Sequence, residues 1–196
     1  MKIEAHQLYH VYNRGNNKQK IFFEKENEID FLKRIRKYLS PNCEILAYCL
    51  MPNHFHLMIY ADERSAKLKD NSGAKISVFA DGIKNLLSSY SQAINRKYRR
   101  TGSLFTQNTK AKELIKSSNN DYPFVCFNYI HQNAYLAKLV KKMEEWEMCS
   151  FKDYAGLRNG TLCNKELAKK LLDLNWENFY EESYRFISPD KLDGIW

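Results

Sequence analysis

The chain has no Cys-x-x-Cys pair, no repeat or low-complexity segment, and no apolar run near the roughly eighteen residues that a membrane helix needs. Each absence removes a class of protein. The cysteines are odd in number and scattered at Cys43, Cys49, Cys126, Cys149 and Cys163, which reads as a set of reduced thiols. The first residues, Met1-Lys2-Ile3-Glu4-Ala5-His6, contain no apolar signal-peptide stretch, so the expectation is a cytoplasmic protein without a membrane partner.

What is present is enough apolar material for a full core. The chain has 196 residues, 44% of them hydrophobic and 14% aromatic, and that length favours one domain with some elaboration. The net charge is +8, and its distribution is uneven. Residues 1–60 hold 9 basic and 6 acidic groups and residues 61–116 hold 12 and 5, whereas residues 117–196 hold 10 and 12. A basic field over the first two thirds favours a polyanionic partner, and nucleic acid is the obvious one, because counterion release from phosphates contributes much of the affinity.

Along the chain, Gln7 to about Asn13 reads as a strand closed by the loop signal Arg14-Gly15-Asn16-Asn17. From Glu26 to Leu39, Ile29, Phe31, Leu32, Ile35 and Leu39 recur at helical steps, and Ser40-Pro41-Asn42 ends that helix. Cys43–Leu50 and His54–Tyr60 form two β-favourable runs joined by Met51-Pro52-Asn53, as in an antiparallel hairpin. Asp62–Ala74 is polar and predicts a loop. Ile76, Phe79, Ile83, Leu86, Leu87, Tyr90 and Ile94 then trace one face of a helix ending near Tyr98, followed by a strand or bent pair of strands from Ser103 to Ile115. This order, β-α-β-β-α-β, predicts an α+β protein with a ferredoxin-like antiparallel sheet and both helices on one face. A further helix is expected from about Asn120-Asp121 to Asn133, with short helices beyond it.

The residues that carry chemistry start with His54-Phe55-His56. In a strand, alternate side chains share a face, so both imidazoles project together while Phe55 and Leu57 enter the core. Two such histidines suit a divalent metal, but a lone His-x-His in a strand is more often a hydrogen-bonded structural pair, so a metal reading needs a third ligand from elsewhere in the chain. Tyr129 and Asn133 lie four apart and therefore share a helical face. His131 falls roughly opposite, as a surface or packing histidine, and His10 reads as a buried, hydrogen-bonded group or one that supports a ligand from behind. Arg14, the cluster Arg96, Lys97, Arg99 and Arg100, and Lys110 with Lys112 are the candidate phosphate contacts, with nearby Tyr and Phe available to stack on unpaired bases.

Tyr9-His10-Val11-Tyr12-Asn13-Arg14-Gly15-Asn16, Ala47 to Leu57, Gly102-Ser103-Leu104-Phe105 and Tyr129-Ile130-His131-Gln132-Asn133 occur in an order and spacing that resemble the REP-associated tyrosine transposases. These are a branch of the single-tyrosine HUH transposases. Trp146 to Tyr154 looks like that branch's Trp, Ser, Tyr segment, and the likeness spans roughly residues 7–156. Ala134 departs from it, since the family usually has proline there. The resemblance implies a catalytic domain over 1–156, with 157–196 as a helical C-terminal extension packed on it. It also implies a metal-dependent endonuclease and strand transferase that acts on single-stranded or hairpin DNA. In that chemistry Tyr129 attacks phosphorus to form a covalent 5′-phosphotyrosine and release a 3′-hydroxyl, while His54, His56 and Asn133 hold Mg2+ or Mn2+. A monomer and a homodimer are both compatible with it. Two other readings stay open from the residues: a domesticated hairpin-DNA-binding protein with little or no cleavage activity, and a metal-dependent hydrolase using water. No carboxylate beside the histidines offers itself as a base for the latter.

Overall fold

The computed structural model describes residues 1–71, 73–114, 122–172 and 174–185. Its centre is a four-stranded antiparallel sheet built from β1 (Gln7–Arg14), β2 (Glu44–Met51), β3 (His54–Ala61) and a short β6 (Lys110–Glu113), in the order β2-β3-β1-β6. The helix α1 (Lys25–Tyr38) joins β1 to β2, and α3 (Val78–Lys97) precedes β6, so the ferredoxin-like order read from the sequence is the order observed.

One face of this sheet is closed by α1 and α3. Their apolar stripes, Phe31 and Ile35 on one and Phe79, Ile83, Leu86, Tyr90 and Ile94 on the other, are fully or nearly fully buried. Phe31 sits at the centre, with ring centroids 5.1 Å from Phe55 of β3 and 4.9 Å from Tyr90. The two helices approach so closely that a Cβ added at Gly82 would lie 2.6 Å from the Tyr38 carbonyl oxygen. Glycine is the residue that permits this distance.

Two stretches differ from the sequence reading. Where the sequence predicts a loop after β3, the described residues form α2 (Glu63–Ala66), capped by Asp62, and a separate hairpin of β4 (Leu68–Asn71) with β5 (Ala74–Ser77). The hairpin is stabilised by its turn and a surface ion pair rather than by apolar alternation: Gly73 takes a positive φ of 86° beside Asp70, and Lys69 pairs with Asp81 of α3 at 2.6 Å. Over Ser103–Ile115, where the sequence predicts a strand or two, regular pairing is confined to β6 and a single bridge between Gly15 and Phe105; Ile115 lies outside the described residues. The intervening chain is tied to β1 by one backbone bond, Thr106 N–H to Arg14 O at 2.9 Å, and by side-chain bonds through Asn13.

The helix carrying Tyr129 is α4 (Tyr122–Leu136); its expected start at Asn120-Asp121 lies outside the described residues. It packs on the other face of the sheet, over β2 and β3, so the sheet is covered on both faces. Every residue from Val125 to Ala134 is buried, because a second layer lies outside α4. That layer consists of α5 (Phe151–Tyr154) and α7 (Phe179–Ser183), whose Tyr154 and Phe179 rings lie 5.0 and 6.2 Å from Phe127. A further helix, α6 (Lys165–Leu172), lies beside β2. No helix among the described residues is long and apolar enough to cross a membrane.

Candidate active site

Strand register assembles the site. Directly opposed residues in an antiparallel pair share a face, and the pairings Arg14 with His54, Tyr12 with His56 and His10 with Met58 place all three β1 side chains on the face that α4 covers. Across the other edge of β1, Tyr12 opposes Lys110 and His10 opposes Lys112. Three candidates separated widely in the chain, Arg14, Lys110 and Lys112, are thus set on the same side as the two histidines. The Lys112 ammonium lies 4.9 Å from the Tyr122 ring at the start of α4.

His56 is wholly buried. Its Nδ1 lies 2.8 Å from His10 Nε2, and the two rings stack at 5.0 Å between centroids, so His10 is the hydrogen-bonded buried residue that its mid-strand position predicts. With Nδ1 committed to His10, coordination by His56 would run through Nε2. His54 is held from both sides. Its Nδ1 lies 2.7 Å from Asn53 Oδ1, and its Nε2 3.2 Å from Asn133 Oδ1. The His54 and His56 rings stand at 84° with centroids 4.9 Å apart, and the Tyr129 ring meets His56 edge-on at 5.6 Å. The structure therefore brings His54, His56, Tyr129 and Asn133 into one small volume at the interface of β3 and α4.

Electrostatics keep both imidazoles neutral. Burial lowers the His54 pKa below its usual 6.5, with its Asn133 contact acting weakly the other way. His56 is driven well below 6.5 by burial first, then by repulsion from His10 and His54. Neutral imidazole is the form that ligates a metal. His54 Nε2 lies 3.2 Å from Asn133 Oδ1, and Asn133 Nδ2 is buried without a hydrogen-bond partner among the described residues. His54 Nε2, His56 Nε2 and Asn133 Oδ1 are the atoms that could serve a divalent ion as mixed nitrogen and oxygen ligands.

The position of α4, and so of Tyr129, is fixed through His131. This residue is 1% exposed, which excludes the surface half of the sequence reading and leaves the packing half. Its Nε2–H donates to Ser150 Oγ at 2.8 Å; that oxygen accepts from Tyr48 N–H at 2.9 Å and donates to the Tyr48 carbonyl at 3.2 Å. Around the imidazole stand Phe127, Tyr154, Phe179 and Phe151, and burial among them pushes its pKa down to about 3. The Trp, Ser, Tyr segment has a structural role. Trp146 Nε1–H donates to Leu50 O at 3.0 Å and the Tyr154 hydroxyl to Leu46 O at 2.5 Å, so with Ser150 on Tyr48 it caps alternate residues along the outer edge of β2. Sequence reasoning misses Asn53, Asn13 and Ser150 as supports. The signal for Asn53 is its position directly before His54; Asn13 and Ser150 fall inside stretches that carry the resemblance, but nothing local marks their hydrogen-bonding role.

The remaining candidates lie apart. Arg96 and Lys97 end α3, in the layer behind the sheet, and Arg99 and Arg100 follow just past it. Lys97 pairs with Glu24, and Arg100 donates to Gln19 Oε1 with its guanidinium 5.5 Å from the Phe23 ring centroid. Arg96 and Arg99 are exposed.

No family model matches the chain, and no curated protein matches it. Among solved structures, a REP-associated tyrosine transposase bound to a REP hairpin aligns with a TM-score of 0.55, covering 81% of this chain and 85% of that one at 16% sequence identity. That is a likeness of fold. A bacterial tRNA(His) guanylyltransferase-like protein, solved with GTP and with ATP, gives TM-scores of 0.40 at 12% identity, an overlap too low to carry an argument. The GTP complex covers 71% of this chain and 70% of that one, and the ATP complex 93% and 72%.

Proposed function

We propose that the protein nicks and rejoins single-stranded or hairpin DNA as a single-tyrosine HUH enzyme related to the REP-associated tyrosine transposases. One observation carries this reading: Tyr129 on α4 lies against His56, one helical turn from Asn133, which itself faces His54 at 3.2 Å. A nucleophile and a convergent donor set are what phosphodiester transesterification requires, and the shared fold supports the same reading.

In the proposed reaction the Tyr129 phenolic oxygen attacks phosphorus, the bond from phosphorus to the 3′ oxygen breaks, and a 5′-phosphotyrosine and a 3′-hydroxyl result. The ester preserves the energy of the broken linkage. A 3′-hydroxyl can then attack it and reseal or transfer the strand without ATP. A phenol with an ordinary pKa near ~10 is a weak nucleophile at neutral pH, so the surroundings must orient the phosphate and offset charge. His54, His56 and Asn133 would hold Mg2+ or Mn2+; bound there, the ion would neutralise charge on a non-bridging phosphate oxygen. His10 fixes the tautomer of His56, and Asn53 that of His54. Arg14, Lys110 and Lys112 contact the phosphates alongside, and the exposed Arg96 and Arg99 extend the basic surface at the end of α3.

The test is a denaturing gel. Incubated with Mn2+ and a hairpin oligonucleotide selected from a random library, the protein is expected to form a covalent adduct that Tyr129→Phe abolishes. An adduct that survives this substitution removes Tyr129 as nucleophile.

A further inference from the structure

A cavity of about 400 Å3 opens beside the histidines, between the end of β1 and the chain entering β6. Two of its walls come from the site itself. Tyr12 and Arg14 both line it, and they are the cross-strand partners of His56 and His54. The cavity thus opens one strand over from His54 and His56, on the face of the sheet that carries them.

The third wall is a loop, residues 106–109, and it is clamped. Asn13 Nδ2 donates to Thr106 O at 3.2 Å and to Thr109 Oγ1 at 2.9 Å, while Asn13 Oδ1 accepts from the Thr106 hydroxyl at 2.6 Å and from Arg14 N–H at 2.7 Å. Asn13 is saturated by these bonds, and the loop is held before any ligand arrives. Held this way, Gln107 and Asn108 line the cavity with their side chains exposed, and among the described residues neither amide hydrogen-bonds to the protein. Lys110 completes the rim.

We propose that this cavity takes one unpaired nucleobase of the bound strand, and that Gln107 and Asn108 read its edge. The inference rests on the DNA-processing reading above. A site for phosphate alone would need only donors, whereas each amide offers a donor and an acceptor, the combination that matches base edges. Tyr12 supplies an aromatic wall for the base plane, and Arg14 and Lys110 meet the flanking phosphates. The volume falls in the range of specific small-ligand pockets and suits a single nucleotide.

The experiment is selection from a library of DNA hairpins with randomised unpaired flanks, using the full chain and the double variant Gln107→Ala/Asn108→Ala. The wild-type protein is expected to fix a base at one or more unpaired positions. The variant returns one of these to random, an enrichment loss of about tenfold or more. A second variant, Gln107→Glu/Asn108→Asp, keeps the shape but replaces the amide donors with acceptors, and changes which base is enriched at that position. Identical fixed bases in all three proteins overturn the proposal. Enrichment of no DNA by the wild-type protein instead overturns the reading on which it rests, and Tyr129→Phe on the enriched DNA reports separately on strand cleavage.

Discussion

Acid should unfold this protein through His131, by a calculable amount. The imidazole is held neutral in an aromatic shell with a pKa pushed down to about 3, whereas in the unfolded chain it returns to about 6.5. Between these values the unfolded state binds one more proton than the folded state, so stability rises with pH across this window. Its contribution is fully present above pH 6.5 and is lost progressively as pH falls towards 3. Each unit of pH in the window is worth ~1.4 kcal/mol, so lowering the pH from 6.5 to about 5 removes roughly 2 kcal/mol through this residue. His56 is also lowered by burial and adds a loss of the same sign. The substitution that isolates His131 is His131→Gln, whose side-chain amide can still donate to Ser150 but does not titrate. Urea unfolding of both proteins, without added metal, at a series of pH values from neutral to about 5 measures the slopes. Wild type should lose stability more steeply than His131→Gln by about one proton's worth, ~1.4 kcal/mol per unit. Parallel slopes would refute the assignment of a buried neutral imidazole at this position.

Three other outcomes follow from the packing and the register. Gly82→Ala places a methyl 2.6 Å from the Tyr38 carbonyl and should destabilise by ~1–3 kcal/mol, lowering the thermal midpoint by several degrees in a melting experiment. His10→Leu removes the hydrogen-bond partner of His56 Nδ1, and should weaken Mn2+ binding by about 10–100-fold in a calorimetric titration while circular dichroism still reports the fold; unchanged affinity would exclude His10 as a support of the metal site. Arg14→Ala/Lys110→Ala should lower the salt dependence of single-strand binding, by ~0.7 in the log-log slope for each phosphate that the protein no longer neutralises. Fluorescence anisotropy at several salt concentrations measures that slope, and no change would remove both residues from the interface.

Residue pattern and residue placement differ in how far the sequence reveals them. Helices α1 and α3 are legible because Phe31, Ile35, Phe79, Ile83 and Tyr90 repeat at helical steps, and the hairpin of β2 with β3 because its runs are apolar around Pro52-Asn53. The hairpin of β4 with β5 is not. It is stabilised by Gly73 and the Lys69 ion pair, so its sequence looks like a polar loop. Within the site, His54 and His56 announce themselves by alternation, and Tyr129 with Asn133 by helical spacing. The rows that set Lys110 beside Tyr12 and Arg14 beside His54 depend on pairing register, which no single strand encodes. His131 reads as outward-facing only while α4 is given one buried face; the layer of α5 and α7 buries both.

If Tyr129 forms the covalent link to DNA, peptide mapping by mass spectrometry finds the nucleotide on that residue. After reaction with a selected hairpin and Mn2+, nuclease trimming and proteolysis, the account predicts a nucleotide remnant attached through a 5′ phosphate to the peptide that contains Tyr129, with fragmentation placing it on that side chain. Cleaved DNA with no protein-linked nucleotide, or a remnant on a different tyrosine, would contradict it.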